Sequence, residues 1–390
     1  MKTKRNIASI LLVAFATLGF MASCTGNEKK IVSGNYTLTL DGLEYKEEKL
    51  TDEFCDFTLI PLETREECIM SQIPKIIATE KGFYIFNRKP VPFVFLMNND
   101  GTFNRTIGAL GHANNEYQFI MNISADEKGD TIVILDMHEL KFYDSDNNFL
   151  FSKSLDGTNG IEDMAITPNE NFMGMFHRQQ DDGYMILGYD KNFEKKSMCI
   201  EKGHTIIKGP LGNVNLNYIQ KDHSAICCLD IPSSTFYVFD ANNTSEIGSY
   251  TLSSDLMWTE ELVNNNGITD KNENVKLYTF SHDGIRGNIR SCEHNYDFRI
   301  DLESHEITLI RHNTDFGYSF DCYNNGYFYK LMAPTDLLRI IEYDGVSGDD
   351  EYKEYMMNMR EMLKDTLEPI KDSIKESDNP YLLRMRLKKN

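Results

Sequence analysis

Polar, charged and histidine side chains recur directly after short apolar stretches of this sequence, and they are its clearest candidates for binding chemistry. Guanidinium and imidazolium groups form charge-assisted hydrogen bonds, which suit an anionic or polyhydroxylated ligand. The candidate ligand-binding residues are Arg88, His112, Glu116, Tyr117, His138, His177, Arg178, Asp230, Glu293 and His294. Tyr184 and Trp258 are candidates for stacking on sugar rings. The alternative interpretation, that all of these are ordinary solvated loop residues, stays open.

Signals for catalysis are weak in this sequence. It contains no GxSxG, HExxH or phosphate-loop motif. The stretch 144–148 begins like a calcium loop, but Phe149 stands where a glycine is needed and Leu155 where a bidentate glutamate is needed. We therefore interpret this stretch as a hairpin turn, and we expect no cofactor and no metal.

The elements that must position the candidate residues are short strands joined by tight turns, from about residue 54 to residue 345. Strands at 83–86 and 93–97 are followed by the turn 98–101, whose Asn-Asn-Asp-Gly sequence between apolar runs is a hairpin signal. A further group of four strands repeats the plan at 123–126, 131–136, 140–144 and 149–155.

The spacing of these strand groups predicts the fold. The second strand of each group is predicted to end near Asn87, Asp136, Phe176, Asp230, Cys292 and Met332. Six units of roughly 40 to 60 residues, each with four antiparallel strands, predict an all-β, six-bladed β-propeller. A two-sheet sandwich is the alternative, but it would not recur at this period. In a propeller, the loops after the second strands share one face with the connectors between blades, so the candidate residues should line one rim of the central channel.

The C-terminal part departs from the strand pattern. Apolar residues between 349 and 376 fall at helical spacing and form one stripe, and Pro369 should kink or split the helix. We expect this helical insertion to pack on the propeller's flank, and a methionine-rich partner groove is the alternative. Residues 381–387 then alternate like a strand, which should close the ring beside 36–40 or 57–61.

The N-terminus has the pattern of a bacterial lipoprotein signal. Basic residues precede an apolar run at 7–20, and Ala22-Ser23-Cys24 follows it. We expect Cys24 to be lipidated and the mature protein to be anchored in the cell envelope, at the outer membrane, with the side of the membrane left open. An ordinary signal peptide is the alternative. The predicted domains are the signal peptide 1–23, the tether and N-terminal strand 24–50, the propeller 51–348, the amphipathic helical segment 349–377 and the closing strand 378–390.

Composition restricts the partners and the cysteine chemistry. The 390 residues include 40 basic and 60 acidic ones, a net charge of −20, which repels nucleic acid and anionic lipid headgroups. We therefore expect no nucleic acid partner and membrane contact through the lipid anchor alone. Eight cysteines, one of them Cys24, include no CxxC pair. We expect most to be small buried hydrophobic residues, with a Cys55–Cys68 disulfide as the leading exception.

Four short segments of the sequence carry a family resemblance: 58–64 (TLIPLET), 82–88 (GFYIFNR), 107–117 (IGALGHANNEY) and 378–382 (DNPYL). They resemble segments of the six-bladed propeller lipoproteins of Bacteroidota, which are relatives of NHL-repeat propellers. In the third, Ala113-Asn114-Asn115 replaces the family's usual glycine and proline. The resemblance implies a propeller and a lipid anchor, and it implies no activity and no catalytic residues.

Three functional hypotheses follow from these patterns. The first is a non-enzymatic exported propeller that binds a glycan, a peptide or a partner protein on one face. The second is a polysaccharide lyase or hydrolase with its site at the central channel, which needs a coupled acid and base with perturbed pKa values. The third is a structural subunit of an envelope complex, which needs an exposed apolar patch, expected here on the helical segment.

Overall fold

The computed structural model describes residues 34–388 except 138, 155–157, 168–170, 179–183, 193, 203–218, 223–224, 232, 260, 263–268, 270 and 313–314. The described part begins with an N-terminal segment that runs along the outside of the molecule. Its elements are β1 (Gly34–Thr39), β2 (Lys46–Glu47), the short helix α1 (Leu50–Glu53), β3 (Phe54–Pro61) and a 3-10 turn at Glu66–Cys68.

Blades 1, 2 and 3 each contain four antiparallel strands in chain order from the centre outward. Blade 1 is formed by β4 (Lys75–Thr79), β5 (Gly82–Asn87), β6 (Phe93–Met97) and β7 (Phe103–Ile107). Blade 2 is formed by β8 (Ile120–Ala125), β9 (Thr131–Asp136), β10 (Glu139–Asp144) and β11 (Phe149–Ser154). Blade 3 is formed by β12 (Thr158–Ile166), β13 (Phe172–Arg178), β14 (Tyr184–Tyr189) and β15 (Lys195–Lys202).

Blades 4, 5 and 6 each incorporate a strand from the N-terminal segment as their outermost strand. Blade 4 is formed by β16 (Ile219–Asp222), β17 (Ala225–Asp230), β18 (Thr235–Asp240), β19 (Glu246–Ser253) and β1. Blade 5 is formed by β20 (Asn274–Ser281), β21 (Gly284–Arg290), β22 (Asn295–Asp301), β23 (Ile307–Arg311) and β2. Blade 6 is formed by β24 (Cys322–Asn324), β25 (Tyr327–Met332), β26 (Tyr381–Leu387) and β3.

The six sheets of the described chain form a closed ring. The innermost strand of each blade contacts the innermost strands of its two neighbours, from β4 through β8, β12, β16, β20 and β24 and back to β4. The prediction of an all-β, six-bladed propeller with a helical insertion before the last strand is therefore confirmed. The turn at 144–148 joins β10 to β11, and the Asp144 carboxylate accepts the Asn148 N–H at 2.8 Å, so the hairpin interpretation is correct.

The ring closes in blade 6, where chain-terminal strands lie side by side. Leu382 of β26 pairs with Ile60 of β3, which agrees with the predicted closure beside 57–61. The alternative closure beside 36–40 is wrong, because β1 runs parallel to β19 at the edge of blade 4. Gly248 permits this pairing because it has no Cβ atom. Any other residue would place its Cβ 2.4 Å from the Gly34 carbonyl oxygen, which is too close.

Blade 5 has two chemically different faces. Ile285 and Phe298 pack against blade 4 in an apolar core. Strand alternation turns Arg286 to the opposite face, where its guanidinium carbon lies 5.1 Å from the centre of the Phe328 ring in blade 6. The charged cluster on this side, called the blade 5–6 seam, consists of Glu53, Asp283, Arg286, Arg299 and Tyr318.

Two helices separate β25 from β26, namely α2 (Pro334–Glu342) and α3 (Asp350–Leu367), and a 3-10 turn follows at Lys371–Ser373. The helix α3 ends two residues before Pro369, the position predicted to interrupt it, whereas α2 was not predicted. The buried stripe of α3 joins the core of blade 6 through Met356, Met359, Leu363 and Leu367. No helix in the described residues is long and apolar enough to span a bilayer.

Six cysteines of the described chain have free thiols. Four of them are buried, as expected: Cys68, Cys227, Cys228 and Cys322. The predicted Cys55–Cys68 disulfide is wrong. Cys55 lies near the beginning of β3, whereas Cys68 lies beyond its end, where the thiol donates to the Glu63 carbonyl at 3.2 Å.

Candidate functional site

One face of the propeller carries both the turns after the second strands and the connectors between blades, and it is called the connector face. The predicted second-strand ends at Asn87, Asp136, Asp230 and Met332 match the ends of β5, β9, β17 and β25. The strand β13 ends two residues later than predicted, at Arg178, and β21 ends two residues earlier, at Arg290.

The connector from blade 1 to blade 2 contains three of the candidate residues. His112 is exposed, and the Glu116 carboxylate accepts the Ala113 N–H at 3.0 Å, which stabilises the loop. Tyr117 is fully buried between blades 1 and 2, and burial raises the pKa of its phenol. The prediction that Tyr117 binds a ligand is therefore wrong, because its ring fills the core beside Gly108.

Arg88 follows β5 and is exposed on the turn of blade 1. Its guanidinium carbon lies 5.6 Å from the centre of the Phe86 ring. Cation–π stacking on a ring of its own strand restrains this side chain without neutralising its charge. Arg88 therefore keeps its hydrogen-bond donors available on the connector face.

Two candidates of blade 4 turn out to be buried. Asp230 ends β17, and its carboxylate accepts a hydrogen bond from the Ser233 hydroxyl. Because this carboxylate is almost inaccessible and holds the turn to β18, the prediction that it binds a ligand is wrong. Trp258 is also buried, so it does not offer a surface for a sugar ring.

The candidates of blade 5 lie over a buried carboxylate that was not predicted. His294 is half-exposed, and its Nδ1 atom lies 2.7 Å from Oε1 of Glu273. The Tyr296 hydroxyl donates to the same oxygen at 2.8 Å. Glu293 is exposed and pairs with Lys271 at 3.1 Å. Glu273 lies at the end of a long connector with no strand pattern, so the sequence offered no sign that it would meet His294.

Five candidates have side chains that the structure does not describe, and the stacking candidate Tyr184 is one of them. Cys24 and His138 lie outside the described residues. His177 and Arg178 are the last two residues of β13, where their backbones pair with Tyr184 and Thr158 respectively. Among the described residues, no hydrogen bond or ion pair joins the Arg88 and Glu116 side of the connector face to Glu293 and His294.

An exposed apolar surface lies on the connector face of blade 2. The blade 2 apolar patch consists of Leu110, Phe119, Met121 and Met137, whose exposed fractions are 46%, 53%, 48% and 54%. The Asp136 carboxylate holds the two parts of the patch together, since it accepts the Phe119 N–H at 2.9 Å and directly precedes Met137. The structural-subunit hypothesis expected such a patch on the helical segment, but α3 buries its stripe, and only single residues such as Met357 are well exposed there.

Backbone irregularities expose two methionines of the blade 2 apolar patch. The register of β8 against β9 shifts between Ile120 and Asn122, so Met121 is the extra residue of a bulge. Met137 has a φ of 52°, a left-handed conformation that glycine or asparagine adopts more easily. Neither residue gains core packing from its position, so folding stability does not account for the choice of methionine.

Polar contacts also link the innermost strands of blades 1, 2 and 3. The Lys75 ammonium lies 2.7 Å from Oδ1 of Asp163, which is almost fully buried. The side-chain amide of Asn122 donates to the same oxygen at 3.0 Å. Lys75 begins β4 and Asn122 lies early in β8, so this cluster joins three blades near the connector-face end of the channel.

The acids with lowered pKa values in the blade 5–6 seam serve structural ion pairs. Glu53 lies 2.6 Å from Nη2 of Arg286, and Asp283 lies 2.7 Å from the same nitrogen. Burial alone would raise the pKa of both acids, but Arg286 outweighs it, lowering the pKa of Asp283 to about 2 and that of Glu53 below its ordinary value. Within the described residues, no group of three or more His, Cys, Asp or Glu side chains could hold a metal ion.

These features define a six-bladed propeller whose connector face carries exposed apolar and cationic side chains. The chain belongs to the family described as a domain of unknown function, DUF4934, which matches residues 42–386. No curated protein matches the sequence.

Two solved structures from Bacteroides share this architecture. A Bacteroides fragilis protein named as an exported protein has 14% identity and a TM-score of 0.62, with 90% of this chain and 99% of that chain covered. A member of the DUF4221 family from Bacteroides vulgatus has 10% identity and a TM-score of 0.50, with 89% and 99% covered. At these identities the similarity shows the fold alone.

Proposed function

We propose that this chain is an exported, lipid-anchored propeller protein that binds a peptide or partner protein on its connector face and catalyses no reaction. The blade 2 apolar patch is the observation that carries the proposal. Contiguous exposed apolar side chains mark interaction surfaces on soluble proteins, and methionine adapts well to a partner's shape. A glycan would instead need several convergent polar groups, so the patch favours a peptide or protein.

The electrostatics of the blade 5–6 seam support a structural role for its acids rather than a catalytic one. A general acid or base must reach its substrate and carry a pKa near the working pH. Asp283 and Glu53 have pKa values shifted away from neutrality, and Arg286 occupies both carboxylates. Their chemistry therefore suits a stable boundary between blades 5 and 6.

Export and anchoring rest on the N-terminal pattern. The small residues before Cys24 follow an apolar run of signal-peptide length, and the Bacteroides fragilis protein of the same fold carries the name of an exported protein. Lipidation of Cys24 would hold the propeller at the outer membrane of the cell envelope. The net charge of −20 would keep its surface away from anionic headgroups.

Photo-crosslinking in cells tests the proposed binding surface. The full chain would carry a photoreactive phenylalanine analogue at position 121, in the blade 2 apolar patch, or at position 357, where Met357 is equally well exposed on α3. We expect a discrete crosslinked protein from position 121 and none from position 357. Equal crosslinking from both positions, or crosslinks to a second copy of this chain alone, would contradict binding of a partner protein through the patch.

A pair of matched double variants then measures the contribution of the patch. Phe119→Ser with Met121→Ser removes two exposed apolar side chains from the patch, and Leu150→Ser with Met357→Ser removes two from elsewhere. We expect the first pair to weaken binding of the crosslinked partner about tenfold or more, since central apolar contacts dominate interface energies. The second pair should bind like the unaltered chain, and an equal loss in both would reject the patch as the contact surface.

A further inference from the structure

Blade 5 places two cations side by side at the connector-face end of its inner strands. Lys276 is the third residue of β20, and Arg290 is the last residue of β21. Asn274 pairs with Arg290 and Lys276 pairs with Asn288, so the two cations are diagonal neighbours on the same face of the sheet. Side chains in such a diagonal relation lie close enough to act on one ligand.

Neither cation is neutralised by the described chain. The Lys276 ammonium and the Arg290 guanidinium make no hydrogen bond or ion pair with any described residue. Burial, and after it the positive charge of Arg290, lowers the pKa of Lys276 below its ordinary value. This is unusual in a chain with 60 acidic residues, because a half-buried ammonium normally gains a carboxylate partner.

Two other lysines near the inner strands have hydrogen-bond or ion-pair partners within the chain, as expected of lysines with a structural role. Lys75 forms its 2.7 Å ion pair with Asp163. Lys330 is half-buried, and its ammonium donates to the Ser319 carbonyl at 2.8 Å and to the Ser319 hydroxyl at 2.6 Å. Lys276 has no such partner among the described residues, so none of their contacts offsets its cost of burial.

We propose that Lys276 and Arg290 form a subsite for a carboxylate group at the channel end of blade 5. A carboxylate would accept hydrogen bonds from the planar guanidinium and the ammonium together. The acids nearest this face are already engaged, since Asp297 accepts the Tyr318 N–H and Asp321 accepts the Leu331 N–H. Burial raises the pKa of both acids, which weakens them as counter-ions for the two cations.

The carboxylate subsite goes beyond the proposed partner-binding function and does not depend on it. Blade 5 lies three positions from blade 2 in the six-membered ring, on the opposite side of the channel. Loss of the blade 2 apolar patch should therefore leave the carboxylate subsite intact. Either proposal could fail while the other holds.

Lysine acylation provides a direct test. The protein would be treated with an N-hydroxysuccinimide ester between pH 6 and pH 9, and labelling at each lysine would be measured by peptide mapping. The reference is Lys371, whose pKa is raised by its hydrogen bond and charge interaction with Glu368. The added probes would be glucuronate and the α-amide of N-acetylaspartate, each with a single carboxylate, and glucose would be the uncharged control.

We expect a carboxylate probe to slow labelling of Lys276. The negative charge of the bound probe raises the pKa of the Lys276 amine, and the probe also covers the amine sterically. At a probe concentration ten times Kd, the labelling rate should fall about tenfold, while Lys371 and the glucose sample stay unchanged. Protection by glucuronate alone would indicate a sugar acid, and protection by the α-amide of N-acetylaspartate alone would indicate an acidic peptide. No protection by either probe at millimolar concentration would overturn the proposal.

Two variants separate a specific subsite from a general effect of positive charge. Arg290→Gln removes the second cation and should abolish most of the protection of Lys276. Lys271→Gln removes a lysine of the same face that already pairs with Glu293, and protection should persist. Equal protection in both variants would show that Arg290 takes no part and would reject the two-cation subsite.

Discussion

Folded proteins usually bury apolar side chains and expose charged ones, and the blade 5–6 seam and the blade 2 apolar patch depart from this rule in opposite ways. The seam buries charges: Arg286 is fully buried between the carboxylates of Glu53 and Asp283. The patch exposes apolar groups, as with Phe119 and Met137. Both arrangements carry a cost in free energy, and among the described residues only the seam has contacts that compensate for it.

That difference separates residues that stabilise the fold from residues that we propose to bind a partner. The seam connects the N-terminal segment to blades 5 and 6, since Arg299 also contacts Glu53 at 3.0 Å and the Tyr318 hydroxyl donates to the same acid. Every charged member of the seam therefore has an opposite charge beside it. The blade 2 apolar patch has no comparable cover among the described residues, and this is why we propose that a partner covers it.

The largest effect is expected from breaking the seam with Arg286→Met. The variant leaves two carboxylates buried without their cation, and removing one partner of a buried ion pair costs about 3–5 kcal/mol. Urea unfolding should show a loss of this size in the free energy of unfolding. Arg105→Met is the matched control, because Arg105 pairs with Asp146 at 3.2 Å on the surface, where such pairs contribute about 0–1 kcal/mol. Similar losses in both variants would show that burial gives the seam no special role.

A smaller effect is expected from Asp283→Asn, and it should depend on pH. The pKa of Asp283 is lowered to about 2 in the folded chain, below its value of about 4 in the unfolded chain. Its stabilising contribution is therefore present above about pH 4 and is lost as the pH falls toward 2. The variant should be less stable than the unaltered chain at pH 6, and urea unfolding should show the two stabilities converging near pH 2. A constant difference across this range would contradict the assigned ion pair.

The architecture could be predicted from the sequence because it depends on local signals that repeat. Turns such as Asn98–Gly101 mark the hairpins one after another, and the same spacing returns in each blade. The pairing of β1 with β19 could not be predicted in this way, since it joins residues more than 200 positions apart. It depends on Gly248 leaving space for another backbone, which no local pattern reveals.

The candidate site was less predictable because a loop position does not determine exposure. Asp230 and Tyr117 were assigned to the correct loops or strand ends, yet one holds a turn and the other fills the core. Met121 and Met137 were overlooked because their exposure comes from a bulge and a left-handed turn, features set by strand pairing. The sequence contains one weak indication of Lys276, because this lysine lies between Val275 and Leu277 in an inner strand.

The smallest effect is expected from relieving the backbone strain at Met137, where folding stability and partner binding should change in opposite directions. Met137→Asn places a residue that tolerates the left-handed conformation at a φ of 52°, so the free energy of unfolding should rise by about 0.5–1 kcal/mol. The same change removes one apolar side chain from the patch, so the yield of the partner crosslink at position 121 should fall. Urea unfolding and crosslinking measured on the same variant would show whether the two properties move in opposite directions. Lower stability in Met137→Asn would mean that the methionine stabilises the fold after all, and that this part of the patch is not maintained for a partner.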